Sequence, residues 1–133
     1  MSVAYGNGRW AVLAYDSTPH NWYTFTSTDN GVTWTKTFML NHNAGIDGYI
    51  AYGNGTFVAT LPFYVLVGYS TDAITWSYSE IPDQDPIGLQ ANDLAFGAGK
   101  FALVNQNGSI WTSSSGSSWT RTRPKDVAGY TAL

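Results

Sequence analysis

The segment AYGNG stands at residues 4–8, recurs unchanged at 51–55 and returns as AFGAG at 95–99. The spacings are 47 and 44 residues. Each copy runs into an apolar stretch: RWAVLA at 9–14, TFVAT at 56–60 and KFALV at 100–104. Trp34, Trp76 and Trp119 keep a second, independent beat, 42 and 43 residues apart. Two markers on one period divide the chain into three units of one repeat domain, approximately 2–47, 48–92 and 93–133. A period of about 40 to 50 residues built from short β-type segments is the spacing of a propeller blade, with four strands per blade.

The second unit reads most clearly. Its strands are expected at 49–52, 57–61, 65–70 and 75–80. Between the first two lies Gly53-Asn54-Gly55, a hairpin turn of residues that tolerate positive φ. No segment holds a helical period over 11 or more residues. The expected fold class is therefore all-β: blades of four antiparallel strands, three blades per chain.

A second motif sits inside this frame. Residues 27–36 read STDNGVTWTK. Ser27, Asp29, Gly31 and Trp34 spell S-x-D-x-G-x-T-W, which resembles the Asp-box, or BNR, motif of sialidase-like β-propellers. Ser70, Asp72 and Trp76 keep the ends of the motif but stand one residue closer together and lack the glycine. Ser113 and Trp119 keep Ser, Gly and Trp, with Ser115 where the Asp would stand. The resemblance implies a turn between the third and fourth strands of each blade. In such a turn Asp29 and Asp72 accept backbone N–H groups, and Gly31 takes a left-handed conformation. The three tryptophans wedge apolar area between blades.

Three blades do not close a ring, which takes roughly 4 to 8. A second copy would bring the count to six, the number that sialidase-like propellers have, with a two-fold axis through the ring. The alternative is a piece of a longer repeat protein. GYTAL at 129–133 aligns with GYIAY at 48–52, so the chain ends on the opening of another repeat.

Charged residues make up 11% of the chain, against roughly 25% in an average soluble domain. The net charge is −3, which argues against nucleic acid, whose phosphates select basic surfaces. The absence of cysteine excludes disulfides, zinc ribbons and thiol catalysis. No apolar run approaches the roughly 20 residues of a membrane span, and residues 1–10 lack the charged start and apolar core of a signal peptide. His20 and His42 are the only histidines and have no metal-ligand spacing. Neither a metal nor a cofactor is expected.

Ligands meet propellers on loops at one mouth of the ring, and the informative loops are those that differ between repeats. These contribute His20, Trp22, Tyr23, Asn41, His42, Phe63, Tyr64, Asp83, Gln84, Asn105 and Gln106. Aromatic rings beside amides, carboxylates and imidazoles suit sugars: the ring stacks on the apolar sugar face and the polar groups bond hydroxyls. For Trp22, Tyr23, Phe63 and Tyr64, packing or a subunit contact is the competing reading.

Catalysis is not expected. Sialidases hold the substrate carboxylate with three arginines and attack with a Tyr–Glu pair. This chain's arginines are Arg9, Arg121 and Arg123, its one glutamate is Glu80, and the R-I-P signature is missing. The reading is a non-catalytic, lectin-like binding module that partners with itself and takes glycans. Its alternatives are a structural or assembly module, such as a phage virion or tail-fibre component, a three-blade fragment of a larger propeller, and a degenerate glycosidase.

Overall fold

In a computed structural model the chain is described over residues 1–42, 48–61, 66–81, 91–105 and 108–122. It folds into three antiparallel meanders of four strands each. The first holds β1 (Ser2–Gly6), β2 (Arg9–Asp16), β3 (Asn21–Ser27) and β4 (Thr35–Asn41). The second holds β5 (Tyr49–Gly53), β6 (Thr56–Thr60), β7 (Leu66–Ser70) and β8 (Ser77–Glu80). The third holds β9 (Ala91–Gly97), β10 (Lys100–Asn105), β11 (Ile110–Ser113) and β12 (Thr120–Thr122). Strand order follows chain order in every sheet, and no helix occurs among the described residues. The expected all-β architecture of three four-stranded blades is what the chain adopts.

The repeated AYGNG segment builds the same hairpin three times. Asn7, Asn54 and Ala98 take φ of 51°, 50° and 50°, and the glycine after each is also left-handed. Each tight turn sets one register, pairing Tyr5 with Trp10, Tyr52 with Phe57 and Phe96 with Phe101. The ring centroids of all three pairs lie 4.9 Å apart, a repeated cross-strand aromatic contact.

Apolar residues fill the space between sheets. Ala11, Leu13 and Trp22 of the first sheet pack with Ile50, Phe57 and Ala59 of the second. Val58 and Val67 of the second pack with Leu94, Phe101, Leu103 and Trp111 of the third. Neighbouring residues of β6 thus point into different cores, so the middle strand is apolar at every position but Thr56 and Thr60. The interfaces share a polarity: one blade offers glycine and small residues, and the next covers them with its aromatic pair. A Cβ on Gly6 would lie 2.1 Å from the Tyr52 ring, and one on Gly53 would lie 2.1 Å from the Phe96 ring.

Asparagine amides lock the same junctions. Asn7 Nδ2 donates to Gly55 O at 3.1 Å and to Thr71 O at 2.8 Å, while its Oδ1 accepts the Tyr52 hydroxyl at 2.7 Å. Asn54 Nδ2 repeats the reach into the third sheet, to Gly99 O at 2.8 Å and Ser114 O at 2.9 Å.

Several boundaries differ from the sequence reading: β5 runs on to Gly53, and β6 spans Thr56–Thr60 rather than 57–61. β8 starts at Ser77 rather than residue 75, because the Thr75 N–H is held by the Asp72 carboxylate at 2.8 Å and stays in the turn. β9 starts at Ala91, ahead of the expected unit boundary at 93. Residues 129–133, read as the opening of a further repeat, lie outside the described residues.

Candidate functional site

A four-stranded meander sends alternate connections to opposite ends, so each blade has two distinct rims. One rim carries the β1–β2 type hairpins and the Ser-Asp turns. The other carries the β2–β3 connections and the residues leaving each fourth strand.

At the first rim, Ser27 Oγ donates to Asp29 Oδ1 at 2.8 Å and accepts the Gly31 N–H at 2.8 Å. Asp29 accepts the Thr33 N–H at 2.9 Å and also the Thr33 hydroxyl. Gly31 has φ 85°, and the Trp34 indole N–H returns to its carbonyl at 3.0 Å. In the second turn Ser70 Oγ donates to Asp72, and Asp72 accepts the N–H groups of Ile74 and Thr75, all within 2.9 Å. Here Ala73 stands in the place of the glycine at φ 58°, and its carbonyl accepts Thr24 Oγ1 of the first sheet at 2.7 Å. In the third turn Ser113 Oγ accepts the Gly116 N–H at 2.7 Å, and Ser115 Oγ accepts the Ser117 N–H at 3.2 Å, taking the position of the Asp. The Trp119 indole N–H bonds Gly116 O at 2.9 Å, as Trp34 does in its own turn.

Burial differs along the series. Trp119 is buried among the residues joining the second and third sheets, Trp76 packs against those joining the first and second, and Trp34 is exposed. The aspartates are tied into their turns rather than left free for chemistry. The Thr33 hydroxyl and N–H and the Ser27 hydroxyl hold the Asp29 carboxyl down at about 2, against an ordinary 3.8. Desolvation pushes Asp72 upward, and it is outweighed by the Thr75 and Ile74 N–H groups, the Ser70 hydroxyl and the Arg9 charge, so its value also falls.

A pH dependence follows with a definite sign. A carboxyl whose folded value lies below its unfolded value supports the fold above the unfolded value, and that support fades on acidification. For Asp29 the window runs from 3.8 down to about 2. The urea midpoint of the wild type is expected to fall across that window, and Asp29→Asn to show a smaller fall. Parallel curves for the two proteins would refute the assignment.

The second rim holds the ligand candidates that fall among the described residues. Tyr15 Oη and His20 Nδ1 are 2.8 Å apart, and His20 has φ 70° after the cis Thr18–Pro19 bond. The His20 carbonyl accepts the His42 N–H at 2.8 Å, which ties the β2–β3 connection to the end of β4. Asn41 Nδ2 donates to Pro19 O at 3.0 Å and to Asn21 Oδ1 at 2.7 Å. Asn21 Nδ2 in turn donates to the Tyr23 hydroxyl at 2.9 Å. Lys36 Nζ lies 3.9 Å above the Tyr23 ring, a cation–π contact.

His20, Tyr23, Asn41 and His42 are thus brought together, with Tyr15 and Asn21 as members that the sequence reading did not single out. The signal for Tyr15 was its position five residues before His20 across a Thr-Pro step. Trp22 goes elsewhere. It is 2% exposed and belongs to the core between the first two sheets, with its ring 5.1 Å from that of Tyr15. Packing is the role the structure gives it. Asn105 is fully buried and closes its own turn, its Oδ1 accepting the Ser109 N–H at 3.0 Å. Phe63, Tyr64, Asp83, Gln84 and Gln106 lie outside the described residues. No group of three or more potential metal ligands occurs among the described residues.

No known family profile matches the chain, and no curated protein does. Among solved structures, YCF48 from Cyanidioschyzon merolae superposes with a TM-score of 0.54 at 16% identity, covering 84% of this chain and 37% of that one. The chain has the β-propeller fold. A structure of YCF48 bound to D1 peptide gives a TM-score of 0.42 at 12% identity, over 92% of this chain and 52% of that one. The chain therefore spans 37% and 52% of the lengths of these two propellers.

Proposed function

We propose that the chain is a non-catalytic binding module built from Asp-box blades, with its ring completed by a second copy and glycans taken at the rim of Tyr15, His20, Asn41 and His42. The observation that carries the reading is this cluster. It sets an imidazole, a phenol and two carboxamides side by side on the rim opposite the Ser-Asp turns. Such groups both donate to and accept from vicinal hydroxyls. The non-catalytic reading is supported by the engagement of Asp29 and Asp72 within their own turns.

The test is a glycan array followed by amide-resolved NMR titration. Binding in the micromolar to millimolar range is expected, about −8 to −4 kcal/mol, with shifts gathered at residues 15–21 and 41–42. Asn41→Ala is expected to weaken binding about tenfold, the scale of one or two lost hydrogen bonds. A blank array at high protein concentration, with unmoved resonances, would sink the glycan reading. Capture of a protein neighbour at the same rim would replace it with the structural or assembly reading.

A further inference from the structure

The two internal blade junctions are copies of one another, and each end of the stack shows one half of a third. Tyr5 and Trp10 repeat the geometry of Tyr52–Phe57 and Phe96–Phe101. Phe57 and Phe101 are fully buried by the preceding blade, whereas Tyr5 is 51% and Trp10 37% exposed. Val3, Trp34 and Phe38 are exposed on the same sheet, so the aromatic half of a junction stands open.

At the other end, Gly97 holds the position of Gly6 and Gly53. Those two lie beneath aromatic rings, while a Cβ on Gly97 would meet no described residue within 4 Å. Beside it runs a groove of about 380 Å³ lined by Lys100, Thr112, Ser114, Ser118, Thr120 and Thr122. Lys100 stands where Arg9 stands in the first blade. Arg9 donates to Asp72 O at 3.1 Å across the first junction, and its charge acts on the Asp72 carboxylate. The turn equivalent to that of Asp72 on the open aromatic face is that of Asp29.

We propose that these two faces are complementary halves of a head-to-tail interface between copies of this chain. The Tyr5–Trp10 pair of one copy seats over Gly97 of the second, and Lys100 meets the turn of Asp29. This rests on the ring-completion part of the proposed function and names its surface. Because the faces differ, the contact is heterologous, and two copies of three blades close it twice in a six-blade ring. One element is missing from the third junction. Ala98 replaces the asparagine that clamps the other two, so this interface is weaker than the internal ones.

The chain has no cysteine, which allows a directional test. Tyr5→Cys and Gly97→Cys chains are mixed under mild oxidation. At the internal junction the Cβ position of Gly6 lies 2.1 Å from Tyr52 Cγ, so the two Cβ atoms fall within disulfide reach. The mixed pair is expected to crosslink, and neither chain alone to crosslink with itself. In sedimentation equilibrium the wild type is expected at the mass of two chains. Gly97→Leu, with no described residue against it, is expected at the mass of one with an unchanged far-UV spectrum. Ala98→Asn, at a φ already shared with Asn7 and Asn54, is expected to tighten association about tenfold by restoring the amide clamp. A wild type that stays at the mass of one chain, or a dimer untouched by Gly97→Leu, overturns the proposal. So does self-crosslinking of the Tyr5→Cys chain. A single chain that still binds glycan would overturn this interface and leave the rim reading standing. A dimer that binds none would do the reverse.

Discussion

Gly53→Ala is expected to destabilise the chain by about 3 kcal/mol or more, the upper range for overpacking a filled junction. The added methyl would sit 2.1 Å from the Phe96 ring. That ring cannot simply slide away, because it packs against Phe101, which is fully buried. The backbone of β5 or β9 has to move, and the Asn54 bonds to Gly99 and Ser114 move with it. The control is the equivalent change at the open end. Gly97→Ala places its methyl where no described residue lies within 4 Å and is expected to cost under about 1 kcal/mol, an ordinary surface effect. Urea unfolding of both variants in dilute solution decides the matter. Equal losses would mean that the junction glycines are not selected by the ring above them.

Phe57→Ala carries the second large effect. Its side chain is fully buried between the first two sheets. Removing it costs the transfer of the ring from water together with the cavity it leaves, about 3 to 5 kcal/mol. The partner ring, Tyr52, loses its 4.9 Å contact and with it part of the lock on Asn7, whose Oδ1 accepts the Tyr52 hydroxyl. Trp10 occupies the same place in the first sheet and is 37% exposed, so Trp10→Ala on a single chain is expected to cost about half as much or less. The measurement is the pair of denaturation midpoints. A Trp10→Ala loss equal to that of Phe57→Ala would show the open aromatic face to be covered within one chain.

The period of the sequence carried the architecture because one unit repeats. Glycine and asparagine at fixed offsets mark hairpins by backbone chemistry alone, and φ near 50° at Asn7 and Asn54 is what those residues permit. Their second task was invisible. Asn7 bonds residues 48 and 64 positions away, and no local pattern reports where a neighbouring blade will stand. The burial of Trp22 was equally hidden. Alternation along β3 sets Trp22, Thr24 and Thr26 apart from Tyr23 and Phe25, but it does not say which of the two faces turns toward the next blade. Tyr15 and Asn21 entered the candidate rim through a short tight connection, whereas the sequence drew attention to the larger ring of Trp22. The boundary of β8 depended on a side chain competing with the ladder for the Thr75 N–H.

The placement of the asparagine clamps and Ser-Asp turns on one rim has a practical meaning. The asparagine amides and the Arg9 guanidinium reach the next blade there, while the Ile50 N–H to Ser2 Oγ and Tyr78 hydroxyl to Met39 O bonds join the first two blades elsewhere. The opposite rim holds connections that differ in length and composition from one blade to the next. Segments on that side are open to exchange, lengthening or randomisation while the fastened side stays constant. The chain is in this sense a chassis with interchangeable parts, and residues 16–20 are the first place to graft a foreign recognition loop.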